Sequence, residues 1–342
     1  MRRILVLLCL VALATAAAAA RALTAESAGE ATTLTVYSGR EEKFVQPLFD
    51  RFTQLTGIEL RVRYGDSAEL AATIAEEGGN SPADLFFSQD AGALGVLGAE
   101  GRLRVLPDRM LARVGRRFRA PGKRWVGTSG RARVVAYNTD ALRRDELPRT
   151  IWGYTNPRFR GKIGLPPTNA SFQAFVTAMR LTAGEDRTRD WLTAIRANQP
   201  KLYAKNSQIL TALASREIEV GFVNHYYLYQ LLEQQPDAPV RNQFFQGRDP
   251  GALVNVAGVG IVATTKQERA AQRLVDFLLG KEAQRYFAQG PGRAEYPLVP
   301  GIKPRVGLPG LRNIQGPNVS LGSLGRQLER TLQLLNEVGF TR

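Results

Sequence analysis

Two adjacent tyrosines, Tyr226 and Tyr227, stand in the segment NHYYLYQLLEQQ (224–235), between a run of strand character and a run of helix character. Ile218, Val220, Phe222 and Val223 lead into the pair, and Leu228, Leu231 and Leu232 follow at helical spacing. In an open α/β sheet, ligands gather where the carboxyl end of a strand hands over to the next element. On a continuous strand the two side chains would point to opposite faces. At a strand-to-helix switch, successive residues turn through roughly a third of a circle, so both phenols can converge on one ligand. Phenolate is a hard anionic oxygen donor, and Fe3+ is a hard cation suited to it. The competing use of such a pair is packing, with each hydroxyl bonded to backbone.

The elements around the pair alternate between strand and helix. LTVYSG (34–39) alternates as a strand, and Phe44 to Leu55 places Phe44, Val45, Leu48, Phe49, Phe52 and Leu55 on one helical face that ends before Gly57. Ile58 to Tyr64 is a second strand, Ser67 to Glu77 a helix, and Ala83 to Phe87 a third strand after the turn Asn80-Ser81-Pro82. Such βαβ units imply a parallel or mixed sheet. A second region from Ile163 to Val223 holds the strand IGLP, helices Phe172–Leu181 and Arg189–Asn198, and the strand Glu219–Val223. VAGVGIVATT (256–265) then leads as a strand into a helix from Glu268 to Leu279. With no long linker and no internal repeat, the fold class is α/β with two lobes joined by crossing strands.

The amino terminus indicates export. Arg2 and Arg3 precede an apolar run from Ile4 to Ala20, and Ala18, Ala20 and Ala22 offer small-residue cleavage positions, the pattern of a secretory signal peptide. The run is short for a membrane helix, which needs about 20 residues. Cys9 is the only cysteine and lies inside the apolar core, so lipidation is not expected, and the processed chain has no disulfide framework or cysteine metal site. Removing Arg2, Arg3 and Arg21 lowers the formal charge from +15 to +12, still strongly basic. Export and the scatter of Arg102, Arg104, Arg109, Arg113, Arg116, Arg117 and Arg119 without a recognisable nucleic-acid motif point away from nucleic acid. An anionic ligand or an acidic partner accounts for the excess, as does a solvated basic face. His225 is the single histidine, and neither GxSxG nor HExxH occurs. GRDPGAL (247–253) lacks the lysine-serine pair of a nucleotide loop and reads as a turn. No credible nucleophile or acid–base set points to an enzyme, and an adhesion module would not need this α/β pattern.

Residues 34 to about 340 resemble the periplasmic ferric-ion-binding proteins of ABC transporters, within the class II solute-binding proteins. The resemblance is carried by LTVYSGREE (34–42), SPADLFFSQDAG (81–92), SGRARVVAYNTD (129–140), NPRFRGKIGLPPTNASFQAF (156–175), KLYAKNSQI (201–209), NHYYLY (224–229) and DPGALVNVAGVGI (249–261). It implies a two-lobed periplasmic-binding-protein-like fold with a ligand cleft between mixed sheets flanked by helices. The corresponding division gives 1–22 as signal peptide, 33–131 with 257–310 as the N-terminal lobe, and 132–256 with 311–342 as the C-terminal lobe. The implied role is monomeric, extracytoplasmic capture of Fe3+ and its delivery to an inner-membrane permease.

In that family the adjacent tyrosines are iron ligands, here Tyr226 and Tyr227. A family histidine falls on Glu41 and a family glutamate on Gln89, so both positions depart from the best-known ligand set. Glu41 is a hard oxygen donor, although a carboxylate at a helix start is also favoured by the helix dipole; Gln89 is neutral and a poorer ligand. Asp90 is the alternative donor beside it, and Tyr137 falls where some relatives supply a third tyrosine. Too few protein ligands for an octahedral site calls for water or a synergistic anion such as carbonate, phosphate or citrate. The resemblance places anion contacts at Asn169, Ala170, Ser171, Asn206 and Asn224, residue types that also cap helices. Arg131 and Arg133 would add positive charge, one facing the cleft and the other solvent. His225 is expected beside the ligands or at the surface. The alternative ligand on the same fold is an organic or phosphonate anion, with a ferric chelate between the two.

Overall fold

A computed structural model describes residues 32–341. The segment 1–22, expected to be a signal peptide, and Cys9 within it lie outside the described residues. Strands β1 (Thr33–Ser38), β2 (Glu59–Tyr64) and β3 (Leu85–Ser88) pair in parallel, with β1 between the other two. They are followed by the long β4 (Val126–Asn138), β5 (Ile163–Leu165), β6 (Lys201–Leu202), β7 (Val220–Asn224), β8 (Val240–Gln243), β9 (Val254–Ile261) and β10 (Tyr296–Pro297). The order β2-β1-β3-β9-β4-β7-β5-β6 is mixed, because β9 runs antiparallel to β3 and β4, while β5 is parallel to β6 and β7.

β4 is the strand that joins the two halves. Residues 126–132 pair with β9 on the side of β1–β3, and residues 133–138 pair with β7 and β8 on the other. The change of partner falls between Ala132 and Arg133. The expected mixed sheets and crossing strand are therefore present, and β4 carries Arg131 and Arg133 to the junction.

Local chemistry explains the elements. The helix Glu42–Thr56 buries Val45, Leu48, Phe49 and Phe52, a stripe at helical spacing. Each such side chain contributes about 1.5–3 kcal/mol of transfer free energy before conformational entropy is subtracted. Gly57 ends this helix with φ 68° and donates its N–H to Thr53 O, a conformation costly for a residue with Cβ. Helix Ser67–Glu77 is capped by Asp66, whose carboxylate accepts from the Ala68 N–H at 2.8 Å. β3, LFFS, is buried throughout, as a central strand covered on both faces requires.

The core behind β7 is aromatic. Tyr154 packs on Phe159, Phe222 and Phe245, and Trp191 packs on Phe175 and Phe222. A smaller cluster of Val134, Ile209, Leu213, Val223, Leu228 and Leu231 lies beneath helices Asn206–Ala214 and Tyr227–Gln234. Two packed layers thus immobilise the end of β7 from which the tyrosine pair projects.

The carboxyl-terminal segment contacts both halves. Gly322 and Gly325 sit so close to Gly92 and Gly95 of helix Ala91–Ala99 that a Cβ on Gly95 would overlap the Gly322 carbonyl. Farther on, Thr331 shares a 2.7 Å hydrogen bond with Thr177 of helix Ala170–Ala183. Helices Lys281–Gln289 and Leu328–Glu337 were not anticipated from the sequence.

Candidate metal centre

β7 ends at Asn224, and helix Tyr227–Gln234 begins two residues past Tyr226's predecessor, His225. Tyr226 has φ −72° and ψ −20°, so the chain has already turned to helix at the first tyrosine. The two rings consequently lie side by side, centroids 4.3 Å apart and planes 28° from parallel, instead of on opposite faces. Tyr226 is buried and Tyr227 half-buried. The Tyr227 phenol is held well above its ordinary pKa by burial, by adjacent Tyr226 and by the Glu41 carboxylate, against the opposing charge of Arg131. Without a cation this phenol keeps its proton; a trivalent ion at the oxygens reverses that balance.

Glu41 stands before helix Glu42–Thr56 and makes no cap hydrogen bond. Its side chain is exposed and pairs with Lys43 at 3.1 Å, an interaction between two solvated groups of little energetic consequence. It is near enough to Tyr227 for its charge to act on that phenol, and only the solvated Lys43 pair occupies it. Gln89 lies at the end of β3, its N–H donating to Ser67 Oγ at 2.9 Å and its carbonyl accepting from Arg131 Nη2. Asp90, the alternative donor, caps a helix with one of its two carboxylate oxygens. Its Oδ1 accepts from the Gly92 and Ala93 N–H groups at 2.6 and 3.3 Å, capping helix Ala91–Ala99.

Tyr137 is not brought to the pair. It is buried in register with Val220, four residues along β4 from Arg133, or about 13 Å at the rise of a strand. The expectation that Arg131 and Arg133 diverge is also corrected. Residues two apart on a strand share a face, and both are buried, at 1% and 4% exposure. Burial pushes the Arg133 guanidinium down to about 9; Tyr227 and Tyr226 oppose this and Arg131 adds to it.

Arg133 Nη1 donates to Ser171 Oγ at 3.2 Å and to Asn224 Oδ1 at 3.3 Å. Asn169 caps helix Ala170–Ala183, its Oδ1 accepting from Ser171 N–H at 3.1 Å, Ser171 Oγ at 2.6 Å and Asn206 Nδ2 at 3.2 Å. Asn169, Ser171, Asn206, Asn224 and Arg133 are thus one network, with Ala170 at the helix start beside it. Several buried polar atoms around it make no hydrogen bond: Arg131 Nε and Nη1, Arg133 Nη2, Asn206 Oδ1 and Asn255 Nδ2. Leaving the guanidinium and Asn255 amide donors among them unpaired is costly, and a small oxyanion would satisfy these donors, whereas Asn206 Oδ1 needs a protonated partner. A cleft of about 570 Å³ opens next to this cradle, walled by helices 67–77, 91–99 and 170–183 and reaching Asp90, Thr168 and Ala170.

Two residues went unnoticed in the sequence. Arg40 and Glu295 form a buried ion pair, Nη2 to Oε1 at 2.5 Å and Nη1 to Oε2 at 3.3 Å, and Ser129 Oγ donates to the same carboxylate. Burial works against both charges, but each holds the other ionised, and the tyrosines also favour the Arg40 cation. A separation of 255 residues leaves no local signal for this pair. His225, expected near the ligands or at the surface, is fully buried. Its Nδ1 accepts from Ala132 N–H at 3.1 Å, its Nε2 donates to Ala294 O at 2.6 Å, and its ring stacks on Tyr296. Both nitrogens are occupied, so it is not a metal ligand in this arrangement.

Residues 80–309 match the model of a family described as bacterial extracellular solute-binding protein. The chain is 34% identical over 323 residues to the major ferric iron-binding protein of Neisseria meningitidis serogroup B, covering 93% of this chain and 96% of that protein. Iron-bound HitA from Pseudomonas aeruginosa matches with a TM-score of 0.84 and 31% identity, over 90% of this chain and 99% of that one. A Trichodesmium protein in complex with iron and citrate matches with a TM-score of 0.77 and 26% identity, over 90% of this chain and 100% of that one.

Proposed function

Since the chain belongs to the bacterial extracellular solute-binding proteins, alongside ferric iron-binding relatives, we propose that it captures Fe3+ outside the cytoplasm through Tyr226 and Tyr227 and passes it to an ABC permease. It is a binding protein of a transport system, not an enzyme. The observation that carries this reading is the stacked tyrosine pair electrostatically coupled to Arg133, whose guanidinium anchors the Ser171 and Asn224 network.

Two phenolates and the Glu41 carboxylate supply three hard anionic oxygens, which together offset the charge of a trivalent iron. Arg131 and Arg133, the Ser171 and Asn224 side chains and the start of helix 170–183 would hold a synergistic anion that completes the coordination shell. Citrate accompanies iron in the similar Trichodesmium structure, which makes it a candidate here beside carbonate and phosphate, as is iron arriving as a carboxylate chelate. Gln89 and Tyr137 are not in this set: Gln89 is a neutral side chain, and Tyr137 belongs to the core.

Binding across the two halves of β4 would favour a closed arrangement, because iron and anion together interact with both sides only when these are close. Visible absorption titration of the metal-stripped protein with Fe3+ tests the reading, with carbonate, phosphate and citrate compared. A tyrosinate-to-iron charge-transfer band saturating at one equivalent is the expected result. A folded protein that gives no band with any of the three anions refutes it.

A further inference from the structure

A second basic cavity lies outside the cleft. It encloses about 420 Å³ and is lined by Arg117, Arg248 and Arg312 together with Gln315, Asn318 and the backbone around Gly316. None of its lining residues belongs to the tyrosine and asparagine network, and none is a carboxylate.

The backbone segments that carry the three arginines are tied to one another. Arg117 Nη1 donates to Ile314 O at 3.2 Å, and Gly316 N–H donates to Gly247 O at 3.0 Å, which fixes the segment carrying Arg312 against those carrying Arg117 and Arg248. Gly316 has φ 68° and approaches Ala252 O so closely that a Cβ would lie 2.7 Å from it. Arg117 is further held over the Phe118 ring at 4.4 Å. Among the described residues, no ion pair reaches any of the three guanidiniums. The acid next in sequence, Asp249, has both oxygens engaged, by Gly251 N–H at 2.7 Å and Ile151 N–H at 3.1 Å.

Three exposed guanidiniums around one concavity raise the local positive potential, which favours an anion there, and planar N–H forks match phosphate and carboxylate oxygens. We infer that this cavity is a second ligand site, for a multivalent phosphate or polycarboxylate, independent of the metal cleft. Gln315 and Asn318, exposed on the same cavity wall, supply amide donors beside the arginines.

Calorimetric titration of the metal-free protein with inorganic pyrophosphate, repeated with citrate, tests this. Two binding events are expected, one in the cleft and one in the cavity, both weakened by salt. The double variant Arg248→Gln/Arg312→Gln removes no hydrogen bond of the fold and should weaken one event about tenfold, leaving the other and the iron charge-transfer band intact. Arg133→Gln should weaken the complementary event. Loss of one event for pyrophosphate but not citrate, or the reverse, identifies which oxyanion chemistry the cavity takes. A titration unchanged in the Arg248→Gln/Arg312→Gln protein, or a single event that Arg133→Gln alone abolishes, overturns the inference.

Discussion

His225 and Ala132 exchange two hydrogen bonds at the point where β4 changes partners: Ala132 N–H donates to the imidazole Nδ1 at 3.1 Å, and the His225 backbone N–H donates to the Ala132 carbonyl at 3.0 Å. The ring's other nitrogen donates to Ala294 O, and the ring stacks on Tyr296 of β10. The residue preceding the tyrosine pair therefore fastens the end of β7 to the junction strand and to the segment before β10.

That role requires a neutral imidazole. Burial pushes its pKa down to about 4 against an ordinary 6.5; hydrogen bonds to Ala294 and Ala132 and the Glu295 charge oppose the shift, and Arg131 adds to it. The unfolded chain binds this proton below pH 6.5 and the folded one only near pH 4. The histidine's contribution is therefore fully present above pH 6.5, is lost as pH falls from 6.5 to 4, and is then constant. It amounts to roughly 3 kcal/mol over that window. Urea unfolding at stepped pH should show a steeper loss of stability in the parent protein than in His225→Gln. Parallel curves would place the pH dependence in other groups.

Removing the phenol oxygens should remove iron. Tyr226→Phe/Tyr227→Phe keeps the stacked rings and their burial, so the fold should hold while Fe3+ affinity falls at least about a hundredfold and the charge-transfer band disappears. Since Tyr227 is held protonated in the metal-free protein, iron uptake should release protons, and affinity should rise with pH through the neutral range. Proton release measured in unbuffered solution during loading checks this; uptake without release means the phenols are not ionised on binding.

Arg133→Gln tests the anion cradle. The variant keeps a hydrogen-bonding side chain beside Ser171 and Asn224 but loses the charge, so the anion concentration needed to develop the iron band should rise about tenfold. Titrating carbonate and citrate at fixed iron reads the effect directly. An unchanged anion requirement would put the anion elsewhere.

The Arg40 and Glu295 pair is buried on both sides, with side-chain exposures of 3% and 5%. Glu295→Gln strands the Arg40 charge and should cost about 3–5 kcal/mol in denaturant unfolding. The double variant Arg40→Met/Glu295→Leu should cost far less, because neither charge is then buried alone. Equal losses in the two proteins would show that packing, not charge, is at stake.

Much of the chain was legible from local pattern. Helix Ser67–Glu77 has its predicted bounds, and helices Glu42–Thr56 and Ala170–Ala183 differ from prediction by one or two residues at their ends. These segments bury one face against the sheet, so their apolar spacing carries the answer. β4 has no legible alternation: its thirteen residues are buried along their whole length, and its arginines look like surface residues until burial is known. The carboxyl-terminal helix Leu328–Glu337 has an amphipathic pattern that went unread.

The sequence by itself determined that two phenols stand at a strand-to-helix switch, that short polar residues stand before the helices beside them, and that the chain is basic. These follow from residue type and from dihedral periods set within a few residues. Only the tertiary structure decided that Arg131 and Arg133 lie together inside the molecule, that Asp90 is a cap, that Tyr137 packs in the core, that His225 ties the junction, and that Arg40 meets Glu295. Each of these depends on which distant groups share a desolvated volume, and desolvation, not sequence spacing, decides whether a charged or phenolic side chain is left free to bind a ligand.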